Sequence, residues 1–163
     1  MLYGARVSKA DPHCEAYGAI DEAVAALGLA RSLSGKKRVR DILLGVQEDL
    51  IVLCGELATP IEAYPSFAAK HPVTTSGMVE GLEKLLDEME EQVEMPREFI
   101  TPGASAVSAA TNLARATVRK AERRVVKLQD DGQLPNEEIL KYLNRLADLL
   151  FTLVCYEENN LDQ

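Results

Sequence analysis

With 163 residues the chain has room for one domain with a real core and not for two comfortable ones. Hydrophobic residues make up 47%, charged residues 27% and aromatics only 5%, with no Trp, which favours helices packed through Leu, Ala and Val over a sheet. A net charge of −8 argues against a nucleic-acid platform, and no apolar run approaches the ~20 residues that cross a bilayer. The first residues also lack a signal peptide's apolar stretch, so the expected location is the cytoplasm, with neither nucleic acid nor membrane as partner.

Residues 1 to about 14 read as an N-terminal loop segment. A first helix is expected over 15–33, where Ala16, Ile20, Val24, Leu27 and Leu29 make an approximate helical stripe before Ser34-Gly35. A second is expected over 36–57, with Val39, Ile42, Leu43, Val46, Leu50 and Leu53 at three- and four-residue intervals. Thr59-Pro60 ends it, and the stretch to Pro72 reads as a loop containing Pro65. Thr75-Ser76 supplies an N-cap region for a third helix whose stripe is Met78, Leu82, Leu85, Leu86 and Met89. After the short connector 97–101, Pro102-Gly103 starts a fourth helix that runs to about Gln129, small-residued from Ala104 to Ala110. Asp130-Asp131-Gly132 breaks the chain, and a fifth helix follows from about Asn136 with Ile139, Leu143, Leu146, Leu150 and Leu153 as its stripe. The expected fold is therefore all-α: a five-helix bundle, with an up-and-down four-helix-like core plus one additional helix, in a single domain over 1–163.

Cys14, Cys54 and Cys155 have no metal-ligand spacing and read as buried or half-buried free thiols. His13 and His71 each sit near a proline in an expected loop, without a Ser or Cys partner that would suggest a triad. Charge is unevenly spread. Between Arg115 and Lys127 stand six basic side chains against the single acid Glu122, so this segment carries +5 and the rest of the chain −13. Arg115, Arg119 and Arg123 fall in one row on a helix, with Glu122 beside them. A solvated face with local ion pairs accounts for such a pattern. So does an anion site, because stacked guanidinium groups repel one another and offer forked donors to phosphate or carboxylate. On the fifth helix Asn144 and Asp148 interrupt the leucine repeat on one face, and Asn144 adjoins Leu143, which suggests a buried amide near the arginine row.

Five motifs then occur in order: Arg6-Val7-Ser8-Lys9, Glu15-Ala-Tyr17-Gly18-Ala-Ile-Asp21-Glu22, Phe99-Ile-Thr-Pro102-Gly103, Arg119-Lys-Ala-Glu122-Arg123 and Tyr142-Leu-Asn144-Arg145-Leu-Ala-Asp148. Together they resemble the PduO-type ATP:cob(I)alamin adenosyltransferases, from Leu2 to about Tyr156. The resemblance implies a five-helix bundle that assembles as a homotrimer, with ATP and the corrinoid held at subunit interfaces. It implies transfer of the 5′-deoxyadenosyl group of ATP to the cobalt of cob(I)alamin, giving adenosylcobalamin and triphosphate. Arg119, Glu122 and Arg123 match the family's catalytic set, and Lys9, Arg119, Glu122, Arg123, Arg124 and Asn144 its ATP site. Asp21 and Arg115 match a pair formed across the subunit interface, and Phe99 matches the aromatic against the corrin's lower face. Mg²⁺ is implied through the ATP phosphates and not through protein ligands. A cobalamin reductase or a B12-dependent mutase is the implied partner class.

Ala104, Lys120 and Ala147 are mild departures from the family pattern. A larger one stands at the start, where a Thr-x-Thr-Gly-Asp-x-Gly-type phosphate-binding loop is usual just before the segment matching Leu2 to Ala5, and here only Met1 stands. Two other readings fit the same residues: a non-catalytic corrinoid carrier or sensor with impaired ATP binding, and a structural helical assembly whose arginines form intersubunit ion pairs.

Overall fold

A computed structural model describes residues 1–4, 6–96, 98 and 100–159. Helix α1 spans Pro12–Leu33 and α2 spans Lys37–Leu57. A 3-10 turn at Ile61–Ala63 leads into the short helix α3, Tyr64–Ala68, followed by α4 at Ser76–Glu90, α5 at Ala106–Asp130 and α6 at Glu138–Glu158. The architecture is all-helical among the described residues, as expected, but the expected count of five is exceeded by α3. That helix forms where a loop is expected because Pro65 falls in its first turn, where a helix has no hydrogen bond to lose.

Local chemistry sets the boundaries. α1 begins three residues ahead of Glu15 because the Asp11 side chain accepts from His13 N at 2.9 Å and Pro12 occupies the first helical position. His13 is thus in a first turn and not a loop, buried, with Nδ1 2.9 Å from the Leu57 carbonyl oxygen. Thr75 caps α4 as expected, its hydroxyl accepting from Met78 N at 3.3 Å. The start of α5 comes later than Pro102-Gly103, because Ser105 and Ser108 form a reciprocal capping box that fixes the first turn at Ala106.

α5 packs against both α1 and α6, with α2 against α1 and α4 against α6. α1 and α5 pack together, and both bury small side chains, Ala16, Ala19 and Ala23 on one and Ala110, Ala114 and Ala121 on the other. α6 contributes the larger residues, Leu143, Leu146, Leu150, Leu153 and the fully buried Tyr142, whose hydroxyl donates to Asp49 Oδ2 at 2.7 Å. Burial pushes the Tyr142 hydroxyl well above its ordinary range and also raises the Asp49 carboxyl. The three cysteines are free, Cys155 buried and the other two half-buried. No helix among the described residues is long and apolar enough to cross a membrane.

One end of the bundle is tied by Glu56, which is completely buried. Its Oε1 accepts from Thr74 N at 2.7 Å and from the Thr74 hydroxyl, while Oε2 accepts from Tyr64 Oη at 2.6 Å and Asn136 Nδ2 at 2.9 Å. One carboxylate thereby joins α2, α3, the loop before α4 and the entry to α6. Glu56→Ala strands these donors inside the protein, at about 3 kcal/mol or more. At 2–4 °C per kcal/mol this is expected to lower the melting temperature by roughly 6–12 °C in a thermal unfolding scan.

Candidate functional site

The face that α5 buries dictates the face it shows. Ala114, Val118, Ala121, Val125 and Leu128 point into the core, which leaves Arg119 and Arg123 exposed and Arg115 and Glu122 half-buried beside α6. On α6 the buried stripe through Tyr142, Leu143, Leu146 and Ala147 leaves Asn144, Asp148 and Phe151 along the same seam.

Glu122 joins the two banks. Arg119 Nη1 lies 2.6 Å from Glu122 Oε2, and Asn144 Nδ2 donates to Oε1 at 3.1 Å. The arginine contact is an ion pair without hydrogen-bond alignment, for Oε2 is buried with no aligned donor. The Glu122 side chain is 13% exposed and that of Arg119 47%, so the acid is sheltered while much of the guanidinium still faces outward. Arg115 is held from two sides: its Nε donates to Asn112 Oδ1 at 2.8 Å, and its guanidinium carbon sits 5.8 Å from the centre of the Phe151 ring.

Arg115 and Phe151 also border two neighbouring hollows. One, of about 370 Å³, is completed by Arg119, Ala147 and Asp148. The other, of about 390 Å³, has an apolar wall of Pro96, Ile100, Pro102, Phe151 and Val154. Its polar groups are Glu98, Asn112, Arg115 and Glu158, and Glu158 Oε1 is buried without a partner. Past the Glu122–Asn144 bridge the seam opens again into a groove of about 350 Å³ between α5 and the start of α6.

The expected site residues are thus only partly gathered. Arg119, Glu122 and Asn144 meet, and Arg115 lies beside Arg119 in one hollow. Asn144 is exposed and not a buried amide: Leu143 takes the core position, and one residue on, ~100° of rotation turns the next side chain outward. Arg123 is exposed, with no hydrogen bond or ion pair among the described residues. Arg124 points toward α1, where it pairs with Glu15 Oε2 at 3.0 Å, and Lys120 pairs with Glu22 on the same helix at 2.8 Å. Lys9 is exposed in the turn before α1, and no contact links it to the seam. Asp21 is exposed on α1 and forms no pair with Arg115 within the protomer. Phe99 lies outside the described residues, while both its neighbours, Glu98 and Ile100, line the larger hollow. Asn112 and Phe151 flank Arg115 and are not among the residues expected from the sequence; Asn112 stands one turn before Arg115 and Phe151 two turns after Asn144.

The arrangement offers cations, an amide and an apolar wall. Burial raises the Cys54 and Cys155 thiols, so neither supplies a thiolate near neutral pH. No three His, Cys, Asp or Glu side chains gather as a metal site among the described residues. Glu122→Gln, which keeps the acceptor for Asn144 and removes the ion pair, is expected to change unfolding free energy in urea by no more than about 1 kcal/mol. A larger loss would make the pair a structural tie instead of a site.

A family model described as cobalamin adenosyltransferase matches residues 1–157. The corrinoid adenosyltransferase PduO of Salmonella typhimurium is 34% identical over 163 residues, which cover 100% of this chain and 47% of that protein. The chain thus spans about half the length of this relative and of its Citrobacter freundii counterpart. A variant PduO-type ATP:co(I)rrinoid adenosyltransferase from Lactobacillus reuteri, complexed with ATP, superposes with a TM-score of 0.85 at 27% identity, covering 96% of this chain and 87% of that one. A second variant of that type from the same organism, complexed with cobalamin and ATP, gives 0.80 at 28% identity over 94% and 83%.

Proposed function

Because the chain belongs to the cobalamin adenosyltransferase family, we propose that it transfers the 5′-deoxyadenosyl group of ATP to the cobalt of cob(I)alamin, releasing triphosphate. The observation that carries this reading is the convergence of Arg119, Glu122 and Asn144 on the α5–α6 seam, next to a partly apolar hollow that begins at Arg115 and Phe151. Residues 1–163 act as one catalytic domain.

The substrate brings its own nucleophile. Co(I) attacks C5′ of ATP with an electron pair, the C5′–O bond breaks toward the phosphate, and cobalt ends as Co(III). A protein nucleophile is therefore unnecessary, and the work left to the chain is placement and charge. Arg119 and Arg123 face the triphosphate, where fixed cations stabilise the charge that grows on the leaving oxygen. Glu122 holds Arg119 in position and Asn144 fixes the nucleotide, with Lys9 and Arg124 as outlying cations of the same site. Mg²⁺ bound with the triphosphate would add charge neutralisation beside Arg119 and Arg123. The apolar wall around the larger hollow excludes water from the corrin's lower face, where loss of an axial ligand eases reduction to Co(I). In a homotrimer Asp21 of one protomer meets Arg115 of the next, which explains why neither satisfies the other inside a single chain. A cobalamin reductase upstream or a B12-dependent mutase downstream is the kind of partner this chemistry suits.

Reduced cobalamin supplied with Mg-ATP is expected to show the absorbance change of cobalt–carbon bond formation; corrinoid binding without turnover would identify a carrier instead. Arg119→Ala is expected to lower kcat at least ~100-fold with an unchanged melting curve, the size of effect seen when one preorganised donor is removed. Turnover near that of the parent protein would refute the assigned role. Asp21→Ala is expected to shift the mass in light scattering from trimer toward monomer and to slow transfer, and an unchanged mass would count against the interface pair.

A further inference from the structure

α2 packs on α1 and α4 on α6, and the two scarcely touch each other, so a groove of about 430 Å³ runs between them. None of its lining residues borders the α5–α6 seam. Ile42, Val46 and Leu82 form its buried floor, and Met78 and Leu85 stand half-buried along the α4 wall. Arg38 Nη2 donates to Glu88 Oε2 at 2.9 Å across one end. From that bridge the groove follows α2 forward to Asp49 and α4 backward to Met78, so the two helices run antiparallel. Gly45 stands seven residues after Arg38 and Gly81 seven before Glu88, which sets the two glycines at one level. Glycine weakens a helix interior, and packing within the chain requires neither, because a Cβ at either position would meet nothing within 4 Å. The pair keeps the groove open to close approach at mid-length.

The charge around this apolar floor has one sign. Asp41, Glu48 and Asp49 line the groove, and among the described residues no Lys, Arg or His does. Asp41 and Glu48 are exposed and seven residues apart on α2, so they form one acidic edge about 10 Å long. Lys37 meets Asp41 at 2.6 Å, whereas Glu48 has no ion pair and Asp49 accepts only from Tyr142 among the described residues.

We propose that this groove docks an amphipathic helix of another protein, one whose apolar stripe fills the floor and whose Lys or Arg residues at i and i+7 lie along the Asp41–Glu48 edge. Two antiparallel helices with an open apolar seam accept a third as a ridge in a groove, and two turns of it match the length of the acidic edge. The carboxylates select the partner, because an acidic helix with the same stripe is repelled. A second copy of this chain is poorly suited, since outside the basic stretch of α5 it is strongly acidic. The inference stands apart from the transferase reading.

The test is fluorescence anisotropy of labelled synthetic peptides with the full chain. The probe is a helical peptide with a Leu and Ala stripe flanked by Lys at i and i+7; one control carries Glu for Lys, and the other has the same residues scrambled. The basic peptide is expected to bind at least ~10-fold more tightly than either control, and more weakly as salt rises. Glu48→Lys and Gly45→Leu are each expected to lower its affinity at least ~10-fold, by repulsion and by filling the groove, with unchanged mass in light scattering. Gly81→Leu, at an exposed position, repeats the blocking experiment should Gly45→Leu lower the melting temperature. Glu62→Lys, the same charge change on an exposed residue off the groove, is expected to leave affinity unchanged. A basic peptide bound no more tightly than its scrambled control, or bound equally by the groove variants and the parent protein, would overturn the proposal. So would equal losses in Glu48→Lys and Glu62→Lys, which would reduce binding to net charge. A fall in mass with the groove variants would make the groove a contact between copies of this chain and overturn it as well.

Discussion

α5 buries Ala110, Ala114, Val118, Ala121, Val125 and Leu128 between α1 and α6, and this choice of face constrains the rest of the site. A helix with 3.6 residues per turn that commits one stripe to the core has no freedom about where its next stripe points. α1 buries alanines at 16, 19 and 23, small side chains that let helix backbones pack closely. On the other flank α6 supplies leucines, so α5 is held on both sides. Arg115, Arg119 and Glu122 are then presented beside Asn144, Asp148 and Phe151 by the same packing that stabilises the bundle. A larger residue at Ala114 or Ala121 would push α5 outward and displace the arginines with it.

The basic stretch on α5 is resolved unevenly. Arg124 and Lys120 are met by Glu15 and Glu22 of α1, exposed pairs that stabilise by tenths of a kcal/mol and chiefly fix where those side chains lie. Arg115 leans on Asn112 and Phe151, and Arg119 on Glu122. Arg123 has no such partner. The cations facing α1 are therefore neutralised within the chain, while those nearest α6 keep donor capacity. An anion arriving at the seam meets positive charge that folding has not already used, in a protein whose remaining surface is strongly acidic.

Much of this was legible in the sequence, because long helices with leucine stripes and a Thr75 cap announce themselves through period and end chemistry. The Arg119–Glu122 pair was legible for the same reason, being a local three-residue spacing on one helix. What was not legible depends on tertiary context. α3 is too short to show a period and carries a proline, so its formation rests on Phe67 packing under Gly55 and on the Tyr64 bond to Glu56, neither local. Asn144 was misread as buried, since adjacency to Leu143 says nothing about which side of the helix turns inward. Phe151 under Arg115 joins residues from two helices, and a one-dimensional stripe on either helix cannot reveal it.

On the proposed function the site works by position and field, with no bond made to the protein, and this places an unusual demand on its scaffold. A nucleophilic side chain can be corrected by its own rotamer, but a guanidinium that must sit opposite a developing charge is only as well placed as the two helices that frame it. Glu122 answers that demand by touching both banks, so relative sliding of α5 and α6 would cost it Arg119 or Asn144. Oε2 is buried and lies 2.6 Å from Arg119 Nη1, so this ion pair is screened less than an exposed one. Loss of Arg119 or Asn144 would release one bank, which makes the placement of the guanidinium and the spacing of α5 and α6 two expressions of one interaction.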